Sequence, residues 1–442
     1  MLKCFPLTMM KKALSYFDLL QIITQNKFTA YQKLLSSDFK IRLLTLNDTT
    51  NSNDKFMAIV WGTFIPFCFL FGKILYTEYL NVNNPDYVGA APDFLAFWAA
   101  AKMAIAGQFP EAYDAAKLII VQREAYNNFN IFLPWLNPPV FFFYVYLFGY
   151  LNFFTAYISW IMLSSLLCIW ACSRLISLKL IFPAIFCTFP YYACFANGQS
   201  SILLAALFAA MAFCLLFKKQ LTAGLIIALM LFKPQYGLLI PFALIAGKEW
   251  KSLFSATLGS LIILGATVYC FGIDSWLALY QENSSFFQRQ ISHPDTHEEF
   301  ALLYSVYGVI RYWFNAPYET AMAVQGIVSI ICIFLTFMVW RNKRMTYEIK
   351  ISTLIICSIL FNYYVYWHDL FLLTVPVILL LKTQTNENMI RHENILFVSL
   401  IYMTFLTNAI DGQIMFLPFA VIVFVLYKRY SFFNRILHDP QA

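Results

Sequence analysis

Residues 223–250, AGLIIALMLFKPQYGLLIPFALIAGKEW, set Lys233 and Pro234 between two runs of about 12 apolar residues each. Either run is short for a bilayer, which a helix crosses in about 20 residues. The lysine is therefore expected low in the membrane, in a cavity and not in bulk water. An ionisable residue at that depth points to function. The competing reading is a lysine whose stem snorkels to the interface from an ordinary loop. If functional, Lys233 suits a phosphate near the membrane surface, as a compact point charge.

The rest of the chain supports a membrane setting. Of its 442 residues, 61% are hydrophobic and only 12% charged, and mean hydropathy is +0.66. A soluble domain carries about 25% charged residues. A large soluble domain is thereby excluded, and the expected class is an all-α polytopic membrane protein. The ten cysteines fall mostly inside apolar runs and form no CxxC pair, so they read as small buried hydrophobes. A net charge of +7 raises nucleic acid as a partner, but the distribution of the charges points to membrane topology instead.

Candidate spans lie at about 56–75, 153–173, 180–196, 199–217, 221–232, 235–246, 252–272, 320–340, 349–367, 369–381, 394–410 and 413–427. A further apolar stretch, NPPVFFFYVYLFGYL (137–151), is short and opens on two prolines, so it is assigned as re-entrant or interfacial. With twelve spans, 23 of the 30 Lys and Arg lie on the cytoplasmic side with both termini, which satisfies the positive-inside rule. The expected organisation is a basic cytoplasmic tail (1–55), a transmembrane domain (56–430) and a short cytoplasmic tail (431–442). Two extracytoplasmic loops, 76–136 and 273–319, carry much of the acidic and histidine content.

Five other stretches on that outer side hold candidate chemistry. In PDFLAFWAAAKMAIAG (92–107), Asp93 leads a helix of about 14 residues that ends at Gly107, with Phe94, Phe97 and Trp98 laying an aromatic face on the membrane surface. Asp93 is then either a helix N-cap or a general base that accepts a hydroxyl proton. Asp114, in EAYDAAK, reads first as a cap for a second helix and otherwise as a substrate ligand. NYYVYWHDLFLL (362–373) brings His368 and Asp369 between spans among Tyr363, Tyr364, Tyr366 and Trp367. The pair is either a phosphate- or sugar-binding site or a tight turn in an aromatic interface belt. FANGQSSILL (195–204) offers the amides of Asn197 and Gln199 for sugar hydroxyls, or for breaking and capping a helix. HPDTHEE (293–299) has histidines four apart, a metal-ligand spacing, yet Pro294 leaves a solvated loop as the preferred reading. The sequence holds no Gly-rich phosphate loop and no Ser-His motif.

Taken in order, PDFLAFWAAAKMAIAGQFPEAYDAA, NPPVFFFYVYLFGYL, NGQSSILLAALFAAMAF and LFKPQYGLLIPFALIAGKEWKSL resemble the glycosyltransferase family 87 proteins. The resemblance covers roughly residues 56–255 and is looser beyond, chiefly through WHDLFLL. It implies a GT-C-type fold in a bacterial inner membrane. The implied activity is transfer of a hexose, best known as mannose, from a polyprenyl-phosphate donor to a glycan or glycolipid acceptor. Asp93 would then be the base, Lys233 and His368 would bind the donor phosphate, and Asp114, Asn197, Gln199 and Asp369 would line the substrate site. One base without a second nucleophilic carboxylate suggests a single displacement with inversion. Lys233 and His368 suffice as cations, so neither cofactor nor metal is called for. The partners implied are donor, acceptor and membrane lipid, without nucleic acid. The rival readings are an O-antigen-type ligase or polymerase and a transporter of lipid-linked sugars.

Overall fold

The computed structural model describes residues 72, 76, 92–125, 132–186, 188–292, 300 and 303–382, all within the compact unit Val60–Ala442. The basic tail, most of the first span, the HPDTHEE loop, the spans at 394–410 and 413–427, and the C-terminal tail lie outside the described residues.

Among the described residues the chain is all α and 3-10 helix, with one isolated antiparallel bridge, Leu303 to Tyr366. The helices are α1 (Pro92–Ile105), α2 (Ala115–Ala125), α3 (Phe153–Ser173), α4 (Leu178–Phe186), α5 (Phe189–Asn197), α6 (Ser201–Leu216) and α7 (Gln220–Leu229). They continue as α8 (Ile240–Ala246), α9 (Trp250–Phe271), α10 (Ile273–Ser292), α11 (Val306–Phe314), α12 (Tyr318–Arg341), α13 (Tyr347–Phe361) and α14 (Thr374–Lys382). Three of them, α3, α9 and α12, are long and apolar enough to cross a membrane. At 1.5 Å per residue, each exceeds about 30 Å. Their exposed flanks are those of a lipid-facing surface, with Leu166, Trp170, Leu261, Ile262, Ile330 and Phe334 all more than half exposed.

The expected spans around them are broken. The stretch 180–196 divides into α4 and α5, with Pro190 in the first turn of α5. Next to Lys233, α7 gives way to 3-10 turns at Met230–Phe232 and Pro234–Tyr236 before α8 begins. Residues 369–381 start as a 3-10 helix, Trp367–Leu373, that runs into α14. The Pro-Pro stretch folds as three short pieces: Pro139–Phe141, Phe142–Val145 and Tyr146–Tyr150. Non-helical backbone at such depth is tolerated where it is buried in protein or lines a cavity.

Helix α1 corrects one expectation. It has the expected 14 residues, and Gly107 follows it at φ +74, but it is not a surface helix. Phe94 is 0% exposed, Phe97 5% and Trp98 4%, and Ala99, Ala100 and Ala101 are all fully buried. The alanines explain this: they leave room for the 146–150 turn, and a Cβ on Gly149 would lie 2.6 Å from the Ala101 carbonyl oxygen. The aromatic side then meets Phe141, Phe153, Tyr157 and Trp160 instead of lipid. Close helix approach recurs between α7 and α9. A Cβ on Gly224 would come within 2.4 Å of the Ser252 carbonyl oxygen, and one on Gly259 within 2.9 Å of Ala228. Small residues at such contacts are the usual means of packing helices in lipid.

Helix α6 separates two polar ends by about 24 Å, from its 16 residues at 1.5 Å each. Beyond its C-terminus, Glu249 accepts from Gln220 Nε2 (2.5 Å) and from the Tyr347 hydroxyl, and Trp340 Nε1 donates to the Lys350 carbonyl (2.9 Å). These contacts tie together the turns before α7, before α9 and before α13. Around them stand Lys218, Lys219, Lys248, Lys251, Arg341, Lys343, Arg344 and Lys350, residues that the charge rule assigned to the cytoplasm. The other end of α6 holds the site.

Candidate active site

The link between α5 and α6 organises the site. Gly198 takes φ +70 to end α5, and a Cβ there would lie 2.3 Å from Phe94 Cβ, so only glycine fits both the backbone and the neighbour. Trp160 Nε1 donates to the Gly198 carbonyl (3.1 Å), and the Tyr157 hydroxyl to that of Phe195 (2.6 Å), which pins the link to α3. This close approach delivers Gln199 to Asp93: Gln199 Nε2 donates to Asp93 Oδ2 at 2.8 Å. Gly198→Ala should therefore lower the melting midpoint in detergent, because a left-handed residue with a Cβ costs about 1–2 kcal/mol before the clash is counted. The Gln199–Asp93 contact should be lost with it as Gln199 is displaced.

The N-cap reading of Asp93 is displaced as well. Pro92 is already helical, so Asp93 lies in the first turn of α1, half-buried, with its carboxylate turned to Gln199. Asn197 stands beside this pair but donates Nδ2 to the Ala193 carbonyl of its own helix (2.8 Å). Asp114 is apart from it. Exposed, it accepts from Ala116 N (2.9 Å) and Lys117 N (3.3 Å) and so caps α2. Next to it, Tyr113 is buried and donates to the Asn137 carbonyl (2.8 Å), and burial pushes its phenol well above the ordinary tyrosine range. It therefore acts as a fixed donor, not a titrating group.

Lys233 lies only 8% exposed between its two 3-10 turns, out of bulk water as its flanking runs foretell. Its ammonium donates to Asp369 Oδ1 (2.9 Å) and to Ser201 Oγ (3.0 Å), while Ser201 Oγ donates to the same Oδ1 (2.6 Å). The other carboxylate oxygen, Oδ2, accepts from Tyr366 N (3.2 Å) and lies 3.6 Å from His368 Nε2. The Tyr236 hydroxyl adjoins Asp369 too. Asn362 Nδ2 joins the end of α13 to the lysine turn through the Gln235 carbonyl (3.1 Å).

His368 and Asp369 are both buried in the 3-10 helix Trp367–Leu373. The His368 ring lies parallel to that of Tyr366 (5.5 Å, 5°), its backbone carbonyl accepts from Cys194 Sγ (3.2 Å), and its Nδ1 is buried without a hydrogen-bond partner among the described residues. Five of the candidate residues, from four chain segments, thus form two bonded groups, Asp93–Gln199 and Lys233–Asp369–His368, with Asp93 within electrostatic reach of His368. Reading the motifs misses Ser201 and Tyr236, although both lie inside stretches quoted for other residues. Ser201 is the second serine of NGQSS, and Tyr236 follows the Lys-Pro-Gln run.

The two carboxylates are held differently. Asp369 is fixed by an ammonium, a hydroxyl and a backbone N–H. Asp93 faces a neutral amide, which orients it without a compensating charge.

Residues 135–362 match the profile of glycosyltransferase family 87. The match begins later than the resemblance did and extends further, through α12 and α13. It takes in Asn197, Gln199, Ser201 and Lys233; Asp93 and the His368–Asp369 pair flank it on either side. No curated protein and no solved structure matched the chain. Covering just over half of the residues, the profile match places this apolar helical protein by descent: the chain belongs to glycosyltransferase family 87.

Proposed function

We propose that this membrane glycosyltransferase moves a hexose, with mannose as the first candidate, from a polyprenyl-phosphate donor to a hydroxyl of a glycan or glycolipid, with inversion. The observation that carries the reading is that Asp93–Gln199 lies within electrostatic reach of Lys233–Asp369–His368 at one end of the bundle. That end is opposite the basic turns around Glu249, which supports an extracytoplasmic site under the positive-inside rule.

Asp93 accepts the proton of the acceptor hydroxyl as its oxygen attacks the anomeric carbon. The bond from that carbon to the phosphate oxygen breaks, and polyprenyl phosphate leaves with the electron pair. Positive charge is needed where the new negative charge develops. An ammonium carries three N–H donors, and Lys233 spends two on Asp369 and Ser201. The third is directed to the departing phosphate, with His368 as its neighbour. Asp369 holds the lysine in place. Asn197 and Asp369 border the sugar, while Asp114 belongs to the acceptor approach. The donor's isoprenoid tail stays in lipid, and its sugar enters a cavity open to both phases.

The test is transfer in liposomes from a panel of polyprenyl-phosphate sugars, with the anomeric configuration of the product determined. A β-linked donor should give an α-linked product. A retained configuration would remove the single displacement, and an untouched panel would remove the transferase reading with this donor class.

A further inference from the structure

In a single displacement the transferred sugar must bridge two stations, the acceptor oxygen at Asp93 and the leaving oxygen at Lys233 and His368. One wall of the site joins these stations. Tyr364 lies within electrostatic reach of Asp93. Its hydroxyl shares a 3.1 Å hydrogen bond with that of Tyr366, and the two rings stand nearly perpendicular (5.0 Å, 79°). Tyr366 in turn stacks parallel on His368.

The wall is braced from behind. Leu303 bridges Tyr366, and Tyr304 N donates to the Val365 carbonyl (2.7 Å). Gly308 lets that strap approach, since a Cβ there would lie 2.4 Å from the Leu303 carbonyl oxygen. Phe300, Leu303, Tyr307 and Ala321 form a small core on which Tyr363, Tyr364 and Tyr366 pack. Both tyrosines of the pair nevertheless keep part of their surface open. A braced aromatic face with a polar rim is well suited to a sugar ring, whose C–H faces are apolar and whose rim is hydroxyls. Phenolic hydroxyls both donate and accept.

We propose that Tyr364 and Tyr366 read the hydroxyl pattern of the transferred sugar and so determine which hexose epimer is taken. The proposal rests on the roles given above to Asp93, Lys233 and His368. A site that hydrogen-bonds a hydroxyl discriminates strongly against an analogue that misplaces it, because its own polar groups are then left unpaired.

The experiment measures kcat/KM for polyprenyl-phosphate mannose, glucose and galactose with the wild type, Tyr364→Phe and Tyr366→Phe. Tyr318→Phe, in the core behind the wall, is the control. The ratio between the best donor and the next should shrink about ten-fold or more in at least one wall variant and stay unchanged in the control. A parallel fall for all three donors would indicate a merely structural role and overturn the proposal. Two variants guard against misfolding of either, and loss of a hydroxyl leaves the ring packing intact. If the wild type turns over none of the donors, the transferase reading fails and this inference with it.

Discussion

Asp93→Asn should reduce sugar transfer by about 10²–10⁴-fold, the range a positioned general base contributes, while the protein folds and melts as the wild type does. The geometry separates the two effects. Asparagine is isosteric with aspartate, and its side-chain oxygen still accepts from Gln199 Nε2, the contact now made at 2.8 Å. The side chain stays half-buried beside Phe94, whose ring is held by Phe97, Phe153, Tyr157 and Trp160. What is removed is the negative charge and, with it, the ability to take up a proton. Initial rates in liposomes and a melting curve in detergent check the two halves independently. A variant that keeps its rate within a few-fold would move the base elsewhere in the cluster, with the buried His368 Nδ1 the next group to examine. Asp93→Glu adds a second comparison. Because α1 is packed on all sides, an extra methylene displaces the carboxylate, and a misplacement of about 1 Å costs on the order of 10²-fold.

Much of this was legible before any coordinates. The membrane class follows from apolar runs that no soluble domain carries, and α3 was foretold to the residue because an uninterrupted apolar run admits little else. The burial of Lys233 is legible too, since two half-length runs cannot leave it in bulk water. What the sequence concealed was which groups touch. Asp93 and Gln199 are 106 residues apart, and Lys233 and Asp369 are 136 apart, so no local spacing signals either contact. The burial of α1 was hidden for another reason. An aromatic face next to alanines looks the same whether it meets lipid headgroups or other helices, and Gly149 and Gly198, which permit the close packing, are distant in the chain. Ser201 escaped notice because a serine at a helix start has an ordinary capping role. Its hydroxyl is instead spent on Asp369.

Lys233→Met should cost more stability than any other single change in the site, about 3–5 kcal/mol, because it leaves a buried carboxylate uncompensated. The side chains of Lys233 and Asp369 are only 9% and 6% exposed, so solvent gives the abandoned charge little relief. The second replacement separates charge from packing. Lys233→Met combined with Asp369→Asn removes both charges and keeps an oxygen to accept from Ser201, which today donates to Asp369 at 2.6 Å. The double variant should therefore regain at least half of the lost stability. It should still fall short of the wild type by about 1 kcal/mol, since the amide does not match every contact now made by the carboxylate, the N–H of Tyr366 among them. Transfer should follow a different course: lost in the single variant and not regained in the double. Loss of an electrostatic donor to a developing oxyanion costs on the order of 10²–10³ in kcat. Melting midpoints and rates of the wild type, both single variants and the double variant close the cycle. Stability without recovery in the double variant would mean that the pair is not coupled by charge. Recovery of transfer along with stability would mean that Lys233 only supports the fold, and the positive charge for the leaving phosphate would then have to come from His368.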